Sequence, residues 1–283
     1  MRVVRAIRRV ARQVEEVAAI FDGRIRSNRV EKRTDFSRCP RPVLLLHGFF
    51  TSRRTFDVLE RRLRRDGYGV FTLDLGGLGR TLNTRGIDDL ADLVRAKIER
   101  IYARNPTLGP LTIVGHSKGG LIAAYYVKKL GGWRRTRAVV TLGTPHHGTP
   151  LAFLGLPVGF FARSLWQLFP GSPFLRRLHD GAWPGHVRLA SVWSKRDDAA
   201  PYPSGVIETH GLPHLSNVEV DSTHHGFLSR KRIYDVILRE IRAAETDAPV
   251  RRGVLTAMRG GRSRTAPAAA PAGARAAAGT DAA

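Results

Sequence analysis

The sequence predicts an α/β fold, a mostly parallel sheet flanked by helices, and three observations carry that prediction. Short apolar runs rich in Val, Leu and Ile alternate with longer helix-like segments through the middle of the chain, the rhythm of strands joined by helical crossovers. The 283 residues, 42% of them hydrophobic, suffice for one large core, and α/β folds of this size are commonly single domains. One apolar run also passes into a helix-like run through a glycine-flanked serine, Leu111-Thr-Ile-Val-Gly-His-Ser-Lys-Gly-Gly-Leu-Ile-Ala-Ala-Tyr125.

Taken in order, residues 1–21 read as an amphipathic helix, because Val3, Ile7, Val10, Val14, Val17 and Phe21 recur at spacings of four and three. Arg2, Arg5, Arg8, Arg9 and Arg12 crowd its beginning. Such a helix either lies in an anionic membrane interface or packs its apolar face on the body or on a second subunit. A polar connector follows to residue 40. Strands are expected at Val43–Leu46, Val70–Leu73, Leu111–Val114, Ala138–Leu142, Val187–Trp193 and Val218–Val220. Helices are expected at Phe56–Arg65, Ile87–Asn105, Leu121–Leu130 and Arg232–Ala244.

Between Thr149 and Gly185 the rhythm breaks. Phe153, Phe160, Phe161, Leu165, Trp166, Leu168, Phe169 and Phe174 stand among glycines and prolines, as in an apolar cap or lid. These side chains are expected to hold the cap to the body and to line an acyl-chain pocket. Past Asp247 the composition turns to Ala, Gly, Arg, Thr and Pro without amphipathic period, which reads as a disordered tail. The organisation is therefore 1–40 helix and connector, 41–245 main domain with the insertion at 149–185, and 246–283 tail.

The chemistry centres on Ser117. In a Gly-x-Ser-x-Gly turn the serine backbone is strained, and Gly115 and Gly119 let strand and helix approach without a side-chain clash, so that the hydroxyl faces a substrate. The companions are Pro42-Val-Leu-Leu-Leu-His-Gly-Phe-Phe-Thr51, Thr141-Leu-Gly-Thr-Pro-His-His-Gly148, Ser194-Lys-Arg-Asp197 and Asp221-Ser-Thr-His-His-Gly226. With these motifs the chain, from about Arg41 to about Ile241, resembles the α/β-hydrolases of the bacterial lipase and esterase kind.

A serine hydroxyl needs a base, and His224, in a short polar loop before the last helix-like run, is the candidate, with His225 its neighbouring rival. The resemblance supports His224 through its place before a residue-Gly pair. A carboxylate must orient the imidazole. Asp197 follows the strand Val187–Trp193, while Asp198 beside it and Asp221 near His224 stay open as alternatives. The order Ser117, Asp197, His224 is the order of this fold family. The resemblance further implies an oxyanion hole from the backbone N–H groups of Phe49 and Lys118, and Phe50, His116, Phe153, Phe160, Phe161 and Trp166 are taken as substrate-facing, His116 being a residue packed beside the serine turn rather than a second base. The Lys118 side chain faces solvent or an acidic group of a ligand in this reading and receives no chemical role.

The implied activity is hydrolysis of carboxylic esters of lipid-like or apolar acyl substrates, with small-molecule esters as the alternative. No cofactor or metal is expected: His146-His147 and His224-His225 have no cysteine cluster or His-Glu-x-x-His helix beside them. The run Gly76-Gly77-Leu78-Gly79, after Asp74, lacks the Gly-Lys-Ser/Thr ending of a phosphate loop. The formal charge of +23, with a pI near 11.4, implies attraction to polyanions. The arginines are dispersed and carry no aromatic-interleaved nucleic-acid motif, so no specific nucleic-acid partner is expected. A basic interaction protein on an inactive hydrolase scaffold is the reading from another functional class. One cysteine, Cys39, excludes an intramolecular disulfide. The arginine-broken beginning does not read as a secretory signal, so the expected location is cytoplasmic, with peripheral membrane contact through residues 1–21. The sequence does not set the oligomeric state.

Overall fold

The computed structural model describes residues 36, 39–48, 53–73, 75, 85–155 and 163–260; the side chains of 53–54, 153–155 and 247–260 are not described. Six strands form one wholly parallel sheet: β1 (Pro42–Leu46), β2 (Gly69–Thr72), β3 (Leu111–His116), β4 (Thr136–Leu142), β5 (Arg188–Trp193) and β6 (Leu215–Glu219). Their spatial order is β2-β1-β3-β4-β5-β6. The helices are α1 (Asp57–Arg65), α2 (Ile87–Arg104), α3 (Lys118–Lys129), α4 (Arg163–Gln167), α5 (Pro173–His179) and α6 (Lys231–Gly260). This is the α/β-hydrolase type of architecture, and all six expected strands are present.

The sheet is buried on both faces, which is why its strands read as unbroken apolar runs. Alternate residues serve opposite cores. Leu44 and Leu46 of β1, Ile113 of β3 and Val139 of β4 pack with Ile87, Leu90, Val94 and Ile98 of α2, Leu121 and Ile122 of α3, and Phe174 of α5. Val43 and Leu45, Val114 and Val140 pack on the other side with Leu59 and Leu63 of α1 and Ile233, Ile237 and Ile241 of α6. A period of two thus divides each strand between two helical layers.

After β1 the chain steps to β2 on one side, then crosses back to lay β3 on the other side of β1. Ligands in open α/β sheets gather at such a reversal, beyond the carboxyl ends of the strands. His47-Gly48 leaves β1 there and Ser117 leaves β3 there.

The chain divides into two units, the first ending at Thr246 and the second beginning at Asp247. Helix α6 continues to Gly260, past the Ala244 boundary set by its amphipathic period. The amphipathic segment 1–21, the connector up to residue 35, Asp74, Gly76–Gly79 and the tail 261–283 lie outside the described residues. Among those described, no helix is long and apolar enough to cross a membrane.

Of the expected cap, α4 and α5 are described, and both are fastened to the body. Arg163 pairs with Asp88 at 2.8 Å and Asp89 at 2.9 Å in the first turn of α2, and Gln167 Nε2 donates to Asp88 at 2.8 Å. Phe174, Leu175 and Leu178 of α5 enter the core, and Phe174 stacks on Tyr125 with ring centroids 5.4 Å apart.

Candidate active site

Ser117 sits between the last residue of β3 and the first of α3, with φ 55° and ψ −128°. A non-glycine residue in this region is strained and must be held by its surroundings. Three hydrogen bonds hold it: its N–H donates to Leu142 O at 2.9 Å, and its carbonyl accepts from Gly120 N and Thr144 Oγ1, each at 3.0 Å. The glycines around it are a matter of space. A Cβ on Gly119 would fall on the Leu46 carbonyl oxygen of β1, and one on Gly48 would stand 2.7 Å from the Ser117 Cβ. The expected approach of strand, helix and the His47-Gly48 turn is therefore real, and it requires bare backbone.

Asp197 follows β5 and is 2% exposed. Its Oδ1 accepts from the amides of Ala199 and Ala200, both at 2.9 Å. His224 Nδ1 lies 2.9 Å from Oδ1 and 3.0 Å from Oδ2. A carboxylate only accepts, so Nδ1 carries the proton and Nε2 is left with a lone pair. Asp198 is exposed, and Asp221 is engaged by Arg196 at 3.0 Å on the surface. Of the three carboxylates and two histidines weighed from the sequence, Asp197 and His224 are the ones brought together.

Two residues that the sequence did not single out support this pair. Ser194 Oγ accepts from Arg196 N and from Ser222 N, each at 3.1 Å, and so ties the Asp197 turn to the His224 loop. Thr144 reaches the Ser117 carbonyl. Short hydroxyl side chains in loops give no periodic signal, although Ser194 and Thr144 both lie inside quoted motifs.

His116, taken as substrate-facing, is 1% exposed, packed beside the serine turn and turned to the His224 loop: its Nε2 lies 2.9 Å from the His224 carbonyl oxygen, and the two rings are 4.6 Å apart. The Lys118 side chain, expected to face solvent or a ligand, is also buried, at 1% exposure, and burial lowers its amine from 10.5 to about 7. Its backbone amide opens α3 directly after Ser117, where the helix N-terminus favours negative charge. Trp166 stands 46% exposed on α4 beside Phe169. Phe153 lies in a 3-10 turn, Pro150–Gly155, without a described side chain, and Phe49, Phe50, Phe160 and Phe161 lie outside the described residues.

The paired histidines after β4 are bound into structure. His146 is buried, shares a hydrogen bond of 3.0 Å with Thr141 Oγ1, and is lowered by burial to about 3. Its carbonyl accepts from His179 Nε2 at 2.7 Å, and His147 Nε2 donates to Val206 O at 2.9 Å. Among the described residues no three His, Cys, Asp or Glu side chains converge as a metal site.

A parallel sheet with this strand order and a strained serine between β3 and α3 defines an α/β-hydrolase. The chain belongs to the family described as serine aminopeptidase, S33, whose model matches residues 40–198. Comparison with curated proteins found no match. Among solved structures, mature lipase BlEst2 of Bacillus licheniformis is 18% identical, with a TM-score of 0.55 over 76% of this chain and 96% of that one. Lipase B of Aspergillus fumigatus is 17% identical, with a TM-score of 0.56 over 72% of this chain and 53% of that one. A monoacylglycerol lipase of Paleococcus ferrophilus is 16% identical, with a TM-score of 0.52 over 72% and 94%. At these identities the likeness is one of fold. The family match supports a hydrolase of the α/β-hydrolase fold.

Proposed function

We propose that the protein is a serine hydrolase that cleaves carboxylic esters of lipid-like or apolar acyl substrates. The observation that carries this is the buried Asp197 carboxylate on His224 Nδ1, at 2.9 and 3.0 Å, because it leaves Nε2 as a base. Ser117 Oγ attacks the ester carbonyl carbon while its proton passes to His224 Nε2. The imidazolium, stabilised by Asp197, returns that proton to the departing alcohol, and water completes deacylation by the same route. The amides of Lys118 and Phe49 receive the oxyanion, each such donor being worth roughly 3 to 4 kcal/mol. The exposed Trp166, beside Phe169, offers apolar surface for an acyl chain.

The test is turnover of p-nitrophenyl esters of increasing acyl length, with fluorophosphonate labelling of native protein and of Ser117→Ala. Labelling and turnover that survive unchanged in Ser117→Ala refute the proposal. A preference for acetate over longer chains favours the small-ester alternative. The family's description, serine aminopeptidase, supports a second reading, cleavage of peptide amides. Faster release from aminoacyl p-nitroanilides than from any ester in the series would make that the function.

A further inference from the structure

We propose that His116 is a positioning residue: through its Nε2–H it grips the carbonyl oxygen of His224, so that the strand carrying the nucleophile also fixes the base. This rests on the assignment of Ser117 and His224 above. His116 is the last residue of β3 and the immediate neighbour of Ser117. Its Nε2 lies 2.9 Å from a carbonyl 108 residues further along the chain. A carbonyl oxygen only accepts, so Nε2 must carry the hydrogen.

The His224 loop has other ties. Ser222 N donates to Ser194 Oγ at 3.1 Å, Arg230 Nη1 to Asp221 O at 2.9 Å, and Gly226 N to Thr223 O at 3.0 Å. These set the path of the loop on either side of the base. The His116 bond acts on the backbone of His224 itself, while Asp197 acts on its ring, and the two anchors come from different strand ends. Fixing a base at both ends restricts rotation about the bonds between them, which is what keeps Nε2 aimed at one place.

The cost of the arrangement points the same way. With Nε2 as donor, His116 Nδ1 is an acceptor, and it is buried without a hydrogen-bond partner among the described residues. A phenylalanine would fill the site without that loss, so packing alone does not explain an imidazole here. Its neutrality also suits the place, because the His224 ring, 4.6 Å away, becomes cationic during the reaction. Burial, reinforced by the neighbouring imidazoles of His224, His225 and His47, holds His116 well below its ordinary value, so it adds no opposing charge.

Two substitutions separate the bond from the ring. His116→Gln keeps an N–H donor at similar reach and removes the ring; His116→Phe keeps a ring and removes the donor. On p-nitrophenyl butyrate, His116→Phe is expected to lower kcat roughly tenfold to a hundredfold, with KM within about twofold of wild type. His116→Gln is expected to recover most of that loss. Amide hydrogen exchange across Thr223–Gly226 should quicken in His116→Phe and stay near wild type in His116→Gln. Full kcat in His116→Phe, or losses in both variants that follow their melting temperatures, overturns the inference. Wild-type protein that neither turns over esters nor takes a fluorophosphonate at Ser117 defeats the functional reading instead. The exchange comparison then decides the grip by itself, and unchanged exchange in His116→Phe overturns it.

Discussion

Replacing Asp197 with asparagine changes the chemistry of one atom in a buried site whose geometry fixes the result. Oδ1 of Asp197 accepts the amides of Ala199 and Ala200 at 2.9 Å, so the side-chain oxygen of the introduced asparagine must keep that place. The new NH2 group then occupies the Oδ2 position, 3.0 Å from His224 Nδ1. Two donors oppose each other there, and the retained oxygen, 2.9 Å from Nδ1 but already taking two amides, is the one acceptor left to it. The balance shifts to the tautomer with its proton on Nε2, which can no longer take one from Ser117. In serine hydrolases built on this triad, the wrong tautomer lowers kcat by about 10⁴, equivalent to about 5 kcal/mol of transition-state stabilisation. Stability should change little by comparison, because shape and both backbone contacts survive. The assay is kcat on p-nitrophenyl butyrate for Asp197→Asn beside Asp198→Asn and Asp221→Asn, with urea unfolding of each. The two surface variants should stay within about threefold of wild type. Asp197→Asn at wild-type rate, or an equal loss in Asp198→Asn, refutes the reasoning.

Lys118 should make stability depend on pH. Its amine is about 7 when folded against an ordinary 10.5, so between those values the unfolded chain binds more protons and stability rises with pH, by up to ~5 kcal/mol across the window. Urea unfolding at pH 6, 7.5 and 9 should show that rise flattened in Lys118→Met; parallel curves would show that the amine titrates normally. At Tyr126 the hydroxyl is buried without a hydrogen-bond partner among the described residues, so Tyr126→Phe is expected to be neutral or to stabilise by about 1 kcal/mol, and a loss above that in calorimetry would contradict it. Gly119→Val should abolish both soluble yield and fluorophosphonate labelling, because its Cβ meets the Leu46 carbonyl; a folded, labelled variant would show that strand and helix can separate there.

The strands were legible because burial on both faces demands unbroken apolar runs such as Val43-Leu-Leu-Leu46. Strand β6 was caught only at its end: its Leu215–Asn217 portion carries polar residues at the sheet edge, where the burial contrast fades. Helix α3 starts three residues before its apolar run, since Lys118-Gly-Gly is weakly helical by propensity and is wound by tertiary packing against β1 and Thr144. The serine was visible because a strand-to-helix reversal leaves a local glycine signature.

The sequence by itself determined the class of fold, the glycine-flanked serine turn and the chain order of the candidate carboxylates and histidines that follow it. Those features are written in periodicity and local turn chemistry, which one stretch of chain can hold. Only the tertiary structure put the Asp197 carboxylate, and not that of Asp198 or Asp221, against the His224 ring, because adjacent residues differ in direction and burial, not in type. It alone turned the Lys118 side chain inward, since whether a side chain meets solvent depends on what the rest of the chain lays over it.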